Sequence, residues 1–162
     1  MLIFIIGYMG SGKTTFGEKL ARELGYGFTD LDREISSIVG CSIVEYFGRE
    51  GESAFREKER QALVQLLRIE DDMVIATGGG TPCYSDNMDL MNNAGFTVFL
   101  DVPVDVLYER LAVERQERPL LKQVPPDKLK DFIWDHLQSR MIYYSKAQFR
   151  ITGDEDISGS FR

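Results

Sequence analysis

Residues 7–14 read GYMGSGKT and follow the apolar run Leu2–Ile6. Their spacing matches G-x-x-x-x-G-K-[ST], the phosphate loop, in which glycines let backbone N–H groups turn toward a phosphate chain. Phe16, Leu20 and Leu24 recur every four residues and predict an amphipathic helix directly after the loop. A strand, a loop and a helix in this order form the context that the motif requires. The stretch therefore predicts a nucleoside triphosphate site, in preference to a glycine-rich turn that carries a lysine by chance.

The loop also predicts which residues contact the nucleotide. Lys13 is expected to reach the β- and γ-phosphates, and Thr14 to offer its hydroxyl to Mg²⁺. The start of the following helix adds N–H donors and a partial positive charge. The residues predicted to bind the nucleotide here are Gly10, Ser11, Gly12, Lys13, Thr14 and Thr15. The motif leaves the phosphoryl acceptor open, because small kinases, GTPases and motor ATPases all use it.

Strand-like runs alternate with helix-like stretches along the chain, with no internal repeat or linker. The predicted strands are Leu2–Ile6, Gly27–Asp30, Met73–Ala76, 96–102 and 148–152. This alternation predicts one α/β domain over residues 1–162, with a five-stranded parallel sheet covered by helices on both sides. Ligands are expected beyond the carboxyl ends of the strands. Asp127 is predicted to cap a last helix that runs to about Ser145.

The composition is that of a globular protein, with 43% hydrophobic and 28% charged residues among 162. The net charge of −7 argues against nucleic acid as a partner, since phosphates need a basic surface. The chain lacks the run of about 18 apolar residues that would predict a membrane span. We therefore expect a cytoplasmic monomer with a small-molecule substrate. An anionic substrate would require cationic side chains to converge locally inside an acidic surround.

Two carboxylates, Asp30 and Asp32, stand at the end of the second predicted strand, in the stretch TDLDRE. One could hold Mg²⁺ through water, and the other could accept the proton of a substrate hydroxyl. Asp is also common in turns and helix caps, and these residues alone favour that interpretation. Arg56 and Glu59 lie three residues apart in AFREKE. They form either a surface ion pair or a guanidinium held ready for a carboxylate.

Three glycines follow the predicted strand Met73–Ala76, namely Gly78, Gly79 and Gly80. Glycines at the end of a buried strand favour a turn that faces a ligand over a plain loop. Arginines recur further along the chain, at Arg110, Arg115, Arg118 and Arg140. If several of them met in one cleft, an acidic protein could still hold an anionic ligand. The stretch 117–126, ERPLLKQVPP, fits no regular element and is either a surface loop or a mobile lid.

Taken together, the motifs GYMGSGKTT, DLD, AFREKE, ATGGG, ERPLL and QSRMIYY span residues 7–144 in this order. The set resembles the shikimate kinase family, in the small P-loop kinase group that includes nucleoside monophosphate kinases. Many families share the phosphate loop, whereas the combination of DLD, FR-x-x-E, GGG and RPLL is far more specific. The resemblance implies a three-layer α/β/α P-loop kinase fold with a lid at about 112–124.

The same resemblance implies an activity, the transfer of the γ-phosphoryl group of ATP to the 3-hydroxyl of shikimate. This reaction belongs to chorismate and aromatic amino acid biosynthesis. On the nucleotide side, Lys13 and Thr14 would serve ATP and Mg²⁺, and Asp30 would support the metal. Asp32 would bind the shikimate hydroxyls and act as the base or the orienting group.

On the acid side, the resemblance implies that Arg56 and Arg140 hold the shikimate carboxylate and that Glu59 fixes Arg56. The glycine backbone that lines the same site would be that of Gly78, Gly79 and Gly80. Arg118 would close over the phosphates as the catalytic arginine of the lid. Arg110 would lie beside the adenine.

Two other functions remain open at this point. A kinase for another small polyol acid, such as gluconate, would share most of this site. A nucleotide-binding regulatory module would bind ATP without turnover, but it has no need of Lys13, Thr14, Asp32 and Arg118 together. Family members usually continue after the last strand into another helix, whereas GDEDISGSFR follows Thr152 here. Adenine contacts expected from that region are therefore not assigned.

Overall fold

The computed structural model describes residues 1–152, which form five strands and six α-helices. The strands are β1 Leu2–Ile6, β2 Gly27–Asp30, β3 Met73–Ala76, β4 Phe96–Asp101 and β5 Phe149–Thr152. The helices are α1 Lys13–Leu24, α2 Leu31–Val39, α3 Ile43–Leu66, α4 Asn87–Ala94, α5 Val104–Glu114 and α6 Leu129–Tyr144. The tail GDEDISGSFR, and any adenine contact from it, lies outside the described residues.

The strands form one sheet in the order β2-β3-β1-β4-β5, and every neighbouring pair is parallel. The five-stranded parallel sheet predicted from the alternation of strands and helices is thus confirmed. The chain moves from β1 outward to β2, returns to β3, and then crosses to β4 on the other side of β1. This reversal opens a crevice beyond the carboxyl end of β1, where open α/β sheets bind their ligands.

Strand β1 is buried on both faces, which explains its uninterrupted apolar sequence. Leu2, Phe4 and Ile6 point into the larger core, to which helices α2 to α6 contribute. Ile3 and Ile5 point to the opposite face, where they pack with residues of α1. Because side chains alternate along a strand, β1 joins both cores and holds the loop after it firmly in place.

Helix α1 begins directly after the phosphate loop, with Gly12 at φ 87° as its first flanking residue. The predicted amphipathic helix is present, with Phe16 and Leu20 buried, whereas Leu24, which continues their spacing, is 39% exposed. Leu24 is the last residue of the helix, next to the left-handed turn at Gly25. The helix packs on the sheet through its earlier turns, and its end projects into solvent.

Three further boundaries differ from the sequence predictions. Asp127 does not cap the last helix, because it lies inside the 3-10 turn Pro126–Lys128 that leads straight into α6. Strand β4 ends one residue early, at Asp101, before the turn that opens α5. Strand β5 begins one residue late, because the N–H of Gln148 donates to Thr97 Oγ1, at 3.0 Å.

The segment predicted as a lid, 112–124, does not form one irregular loop. Its first three residues complete helix α5, and a 3-10 turn at Arg115–Glu117 follows. Leu121, near the middle of the segment, is fully buried in the larger core. The segment is therefore anchored at Leu121, while Glu114 and Arg118, before it, face the crevice.

Candidate active site

The phosphate loop takes its shape from three glycines with positive φ, namely Gly7, Gly10 and Gly12. At Gly10 the φ of 79° favours glycine, and an added Cβ would come within 3.0 Å of the Leu111 side chain on α5, so space is also tight. The Nζ of Lys13 donates to the carbonyl oxygens of Gly7 and Tyr8, at 2.9 and 3.0 Å. The loop thus folds around the lysine.

The Lys13 ammonium lies in a desolvated position. Burial lowers its pKa to about 8, and the nearby carboxylate of Asp32 opposes part of that shift. Removal from water makes an ammonium more sensitive to nearby charge. An anion that enters beside Lys13 would therefore be attracted strongly and would favour its charged form.

The carboxylate of Asp30 makes two contacts at the end of β2. It accepts a hydrogen bond from Thr14 Oγ1 at 2.6 Å and caps α2 by accepting from the N–H of Asp32 at 2.9 Å. The helix cap favoured from sequence is therefore present, and the same carboxylate also faces the phosphate loop. One hydroxyl and one carboxylate suit Mg²⁺, which takes few protein ligands beside water and phosphate oxygens. Within residues 1–152 no cluster of three or more His, Cys, Asp or Glu side chains could hold a metal alone.

Asp32, in the first turn of α2, has an unusual pKa. Burial raises that pKa to about 6, and the negative charges of Asp30 and Glu59 add to the effect. Lys13 and Arg118 act in the opposite direction. A carboxylate with a pKa just below neutral is ionised at pH 7 and still basic enough to accept a proton.

Arg56 is held in place by the fully buried carboxylate of Glu59. Its Nη1 donates to Glu59 Oε1 at 2.9 Å, and Thr81 Oγ1 donates to Glu59 Oε2 at 2.9 Å. Both oxygens of Glu59 are therefore engaged inside the protein. The alternative of a surface ion pair is wrong, because Glu59 has no exposed surface and Arg56 is only 9% exposed.

The three glycines after β3 lie where other groups leave no room for a side chain. An added Cβ would come within 2.9 Å of Glu59 Oε2 at Gly78, and within 3.0 Å of the Met9 backbone nitrogen at Gly79. At Gly80 it would overlap the Arg56 guanidinium. The backbone therefore approaches both the phosphate loop and the buried ion pair.

Arg140 projects from α6 into the same region. Its Cζ lies 5.6 Å from the centroid of the Tyr8 ring. Its Nη1 is buried beside Gly79, and a Cβ added at Gly79 would lie 3.1 Å from this nitrogen. The Arg140 Nη1 has no hydrogen-bond partner within residues 1–152. A buried guanidinium nitrogen without a partner costs free energy unless a ligand satisfies it.

Two further arginines lie on the α5 side of the site. Arg110 Nη1 donates to the Gly10 carbonyl oxygen at 3.0 Å. Arg118 Nη2 donates to Glu114 Oε2 at 2.8 Å, in a partly exposed ion pair. Such a pair contributes little and can open at low cost. Arg118 is therefore able to change partners when an anion enters the site.

These groups line one cleft and an adjoining pocket. The cleft has a volume of about 710 Å³ and is lined by Gly10, Ser11, Gly12, Lys13, Thr14, Thr15, Asp30 and Arg110, among others. The smaller pocket has a volume of about 90 Å³ and includes Arg56, Gly80 and Arg140. Asp32, Gly78, Gly79 and Arg118 line both. All the predicted site residues thus lie together, and the five cationic side chains among them converge inside an acidic protein, namely Lys13, Arg56, Arg110, Arg118 and Arg140. Arg115 lines neither space in the described part of the chain, and its Nη2 donates to the Lys122 carbonyl oxygen at 3.4 Å.

The structure adds residues that the sequence analysis did not single out. Thr81 fixes Glu59, and Tyr144 donates from its hydroxyl to the Gly79 carbonyl oxygen at 2.6 Å. Tyr8 shares a 2.8 Å hydrogen bond with Nδ1 of His136. For Tyr8 and His136 the signals in the sequence were indirect. Tyr8 occupies a variable position of the phosphate-loop motif, and His136 is the single histidine of the chain.

The geometry defines a class of protein. A phosphate loop faces a basic carboxylate, and beyond that carboxylate lie two buried guanidiniums. This is the arrangement of a small-molecule kinase of the P-loop type, in which an acceptor is positioned against a nucleoside triphosphate.

Comparisons with known proteins specify the family. The family model described as "Shikimate kinase" matches residues 9–159. A shikimate kinase of Phocaeicola vulgatus is 48% identical over 94% of this chain and 87% of its own length. The crystal structure of the Bacteroides thetaiotaomicron shikimate kinase is 44% identical, with a TM-score of 0.87, over 98% of this chain and 90% of that one. The Acinetobacter baumannii shikimate kinase, solved in complex with shikimate, is 35% identical, with a TM-score of 0.87, over 96% of this chain and 84% of that one.

The chain belongs to the shikimate kinase family. The resemblance inferred from the motifs and the P-loop kinase fold are both confirmed. Membership of this family implies the use of ATP. None of the helices within residues 1–152 has the length and apolar character needed to cross a membrane. The predicted monomeric state and cytoplasmic location stay predictions.

Proposed function

We propose that this protein transfers the γ-phosphoryl group of ATP to the 3-hydroxyl of shikimate, giving shikimate 3-phosphate and ADP. The observation that carries the proposal is the position of Asp32. This carboxylate lines both the cleft that contains the phosphate loop and the pocket that contains the two buried arginines. Family membership supplies the identity of the acid, and the geometry supplies a place for it.

The phosphate loop would hold the nucleotide. Backbone N–H groups and the start of α1 would cradle the phosphates, and Lys13 would leave its two carbonyl partners to reach the β- and γ-phosphates. Thr14 and Asp30 would hold Mg²⁺, which supplies positive charge at the transferred group when bound. Ser11 Oγ is buried without a partner in the described chain, and it would gain one from a phosphate oxygen.

The smaller pocket would hold the acid. Arg56, fixed by Glu59, and Arg140, with its free Nη1, would bind the shikimate carboxylate from two sides. The backbone of the tight glycine turn would line the pocket next to the ring of the substrate. This arrangement would direct a hydroxyl on the far side of the ring toward Asp32 and the phosphate loop.

Asp32 would orient that hydroxyl and accept its proton as the phosphoryl group transfers. The transition state of phosphoryl transfer is loose, so positioning and charge neutralisation contribute most of the rate. Arg118 would exchange Glu114 for the transferred group when the segment 112–124 closes. Closure would exclude water, which would otherwise compete as the acceptor.

A coupled assay of ADP release tests the proposal directly. The purified chain is incubated with ATP and Mg²⁺, and with shikimate, gluconate or no acceptor. We expect ADP release that depends on shikimate, and a product phosphorylated at the 3-position by NMR. Turnover with gluconate alone would assign the chain to a different acceptor. Binding of ATP without ADP release in any mixture would indicate a nucleotide-binding module.

A further inference from the structure

Tyr8 lies in the phosphate loop, yet its side chain points away from the nucleotide cleft. The residue is 1% exposed, and its hydroxyl shares a 2.8 Å hydrogen bond with Nδ1 of His136. The two rings meet edge to face, with centroids 5.4 Å apart. Neither residue is among those that line the cleft or the smaller pocket in the described chain. The pair therefore lies behind the site.

Arg140 lies one helical turn after His136 on α6, so the two side chains share a face. The Arg140 guanidinium lies over the Tyr8 ring, with Cζ 5.6 Å from its centroid. One turn further on, Tyr144 donates to the Gly79 carbonyl oxygen. The face formed by residues 136, 140 and 144 thus joins α6 to the phosphate loop and to the glycine turn, with the arginine in between.

The two arginines of the smaller pocket are held in different ways. Arg56 has a buried carboxylate partner, Glu59, whereas Arg140 makes no ion pair within residues 1–152. A long flexible side chain loses rotamer entropy when it binds, and prior ordering reduces that cost. An aromatic platform orders a guanidinium without neutralising it. Arg140 therefore keeps its full charge and its unpartnered Nη1 for a ligand.

Tyr8 and His136 are both neutral around pH 7. Burial raises the pKa of Tyr8 to about 12. Burial, followed by the charges of Arg140 and Arg56, lowers the pKa of His136 to about 4. The hydrogen bond between them thus adds no positive charge next to Arg140.

We propose that Tyr8 and His136 are positioning residues that hold the Arg140 guanidinium ready for the substrate carboxylate. The hydrogen bond fixes the Tyr8 ring, and the ring fixes the guanidinium. This inference rests on the proposed function, in which Arg140 binds shikimate. It also gives a role to a position that the phosphate-loop motif leaves variable.

Steady-state kinetics on single variants test the proposal. Tyr8→Phe removes the hydroxyl and keeps the ring, and His136→Leu removes the partner. Each should raise the KM for shikimate about three- to tenfold, the effect of one neutral hydrogen bond, with kcat and the KM for ATP within about twofold. His136→Asn places an amide near the position of Nδ1 and should restore most of the loss. Tyr26→Phe is the matched control, because the only hydrogen bond of the Tyr26 hydroxyl within residues 1–152 is an exposed one to Met1 Sδ.

A double-mutant cycle separates positioning from a general structural effect. In an Arg140→Ala background, Tyr8→Phe should cause no further rise in the KM for shikimate, because the group it positions is gone. An equal rise in both backgrounds, or a rise in the KM for ATP instead, would overturn the positioning role. So would an unchanged KM for shikimate in both Tyr8→Phe and His136→Leu. If the unmodified protein does not phosphorylate shikimate, the proposed function fails first and this inference fails with it.

Discussion

Replacement of Gly80 by Ala adds a single methyl group to the smaller pocket, where the substrate acid is proposed to bind. The Gly80 backbone has φ −91° and ψ −7°, which Ala adopts without strain, so the effect must come from the side chain. The new Cβ would lie 2.6 Å from both Cζ and Nη1 of Arg56. An ordinary contact between such atoms is about 3.5 Å, so the guanidinium must move by roughly 1 Å. A free arginine would move at little cost, but this one is held by Glu59.

The magnitude follows from the contact with the substrate that the movement weakens. The Arg56–Glu59 hydrogen bond is 2.9 Å long, and a shift of this size disrupts it, so Glu59 would no longer align the guanidinium with the substrate carboxylate. A hydrogen bond to a charged group contributes about 1.5–3 kcal/mol. We therefore expect kcat/KM for shikimate to fall about 10- to 150-fold, since each 1.4 kcal/mol is a factor of ten. The KM for ATP should stay within about twofold, because Gly80 is not among the residues that line the nucleotide cleft in the described chain.

The assay is a titration of shikimate at saturating ATP, with ADP release as the readout. Gly48→Ala is the matched control, since Gly48 lies in α3 and an added Cβ there meets nothing within 4 Å. That variant should keep its activity and gain slightly in thermal stability, because Ala favours a helix more than Gly does. A Gly80→Ala enzyme with kcat/KM for shikimate within twofold of the parent would refute the reasoning. A loss confined to the KM for ATP would refute it equally.

Three further perturbations address the nucleotide side and the base. Lys13→Ala should reduce turnover below detection in the ADP assay, because the desolvated ammonium at the phosphates is lost; near-normal activity would contradict its role. Activity should fall as the pH drops through about 6, since Asp32 is protonated below its raised pKa and cannot then accept the hydroxyl proton. A profile of kcat/KM for shikimate that stays flat between pH 5 and 7.5 would argue that Asp32 does not accept the proton. Arg118→Ala should lower kcat at least tenfold with a much smaller change in the KM for shikimate, and the reverse pattern would make Arg118 a substrate clamp.

Local sequence patterns predicted much of the fold. Strand β1 was predictable because five consecutive apolar residues are typical of a strand buried on both sides, and because the phosphate loop that follows lies between a strand and a helix. The predictions were wrong at element ends, where local propensity competes with a specific contact. Asp127 is a good capping residue by type, but the 3-10 turn at Pro126 had already started the helix. Leu24 fits the apolar period and still faces solvent, because α1 ends there.

The sequence by itself determined the chemistry available to this protein: a phosphate loop, two strand-end carboxylates, a glycine turn and a set of arginines. The loop, the carboxylate pair and the glycine turn are each encoded within a few adjacent residues, so local spacing reveals them. The tertiary structure alone decided that the predicted Arg56–Glu59 pair is buried, that Thr81 also binds Glu59, and that Arg140 lies over the ring of Tyr8. The Tyr8–His136 contact joins residues 128 positions apart, and such a pairing depends on the order of the strands and the packing of α6. No local sequence pattern predicts the Tyr8–His136 contact, because the packing of the whole core brings these two residues together.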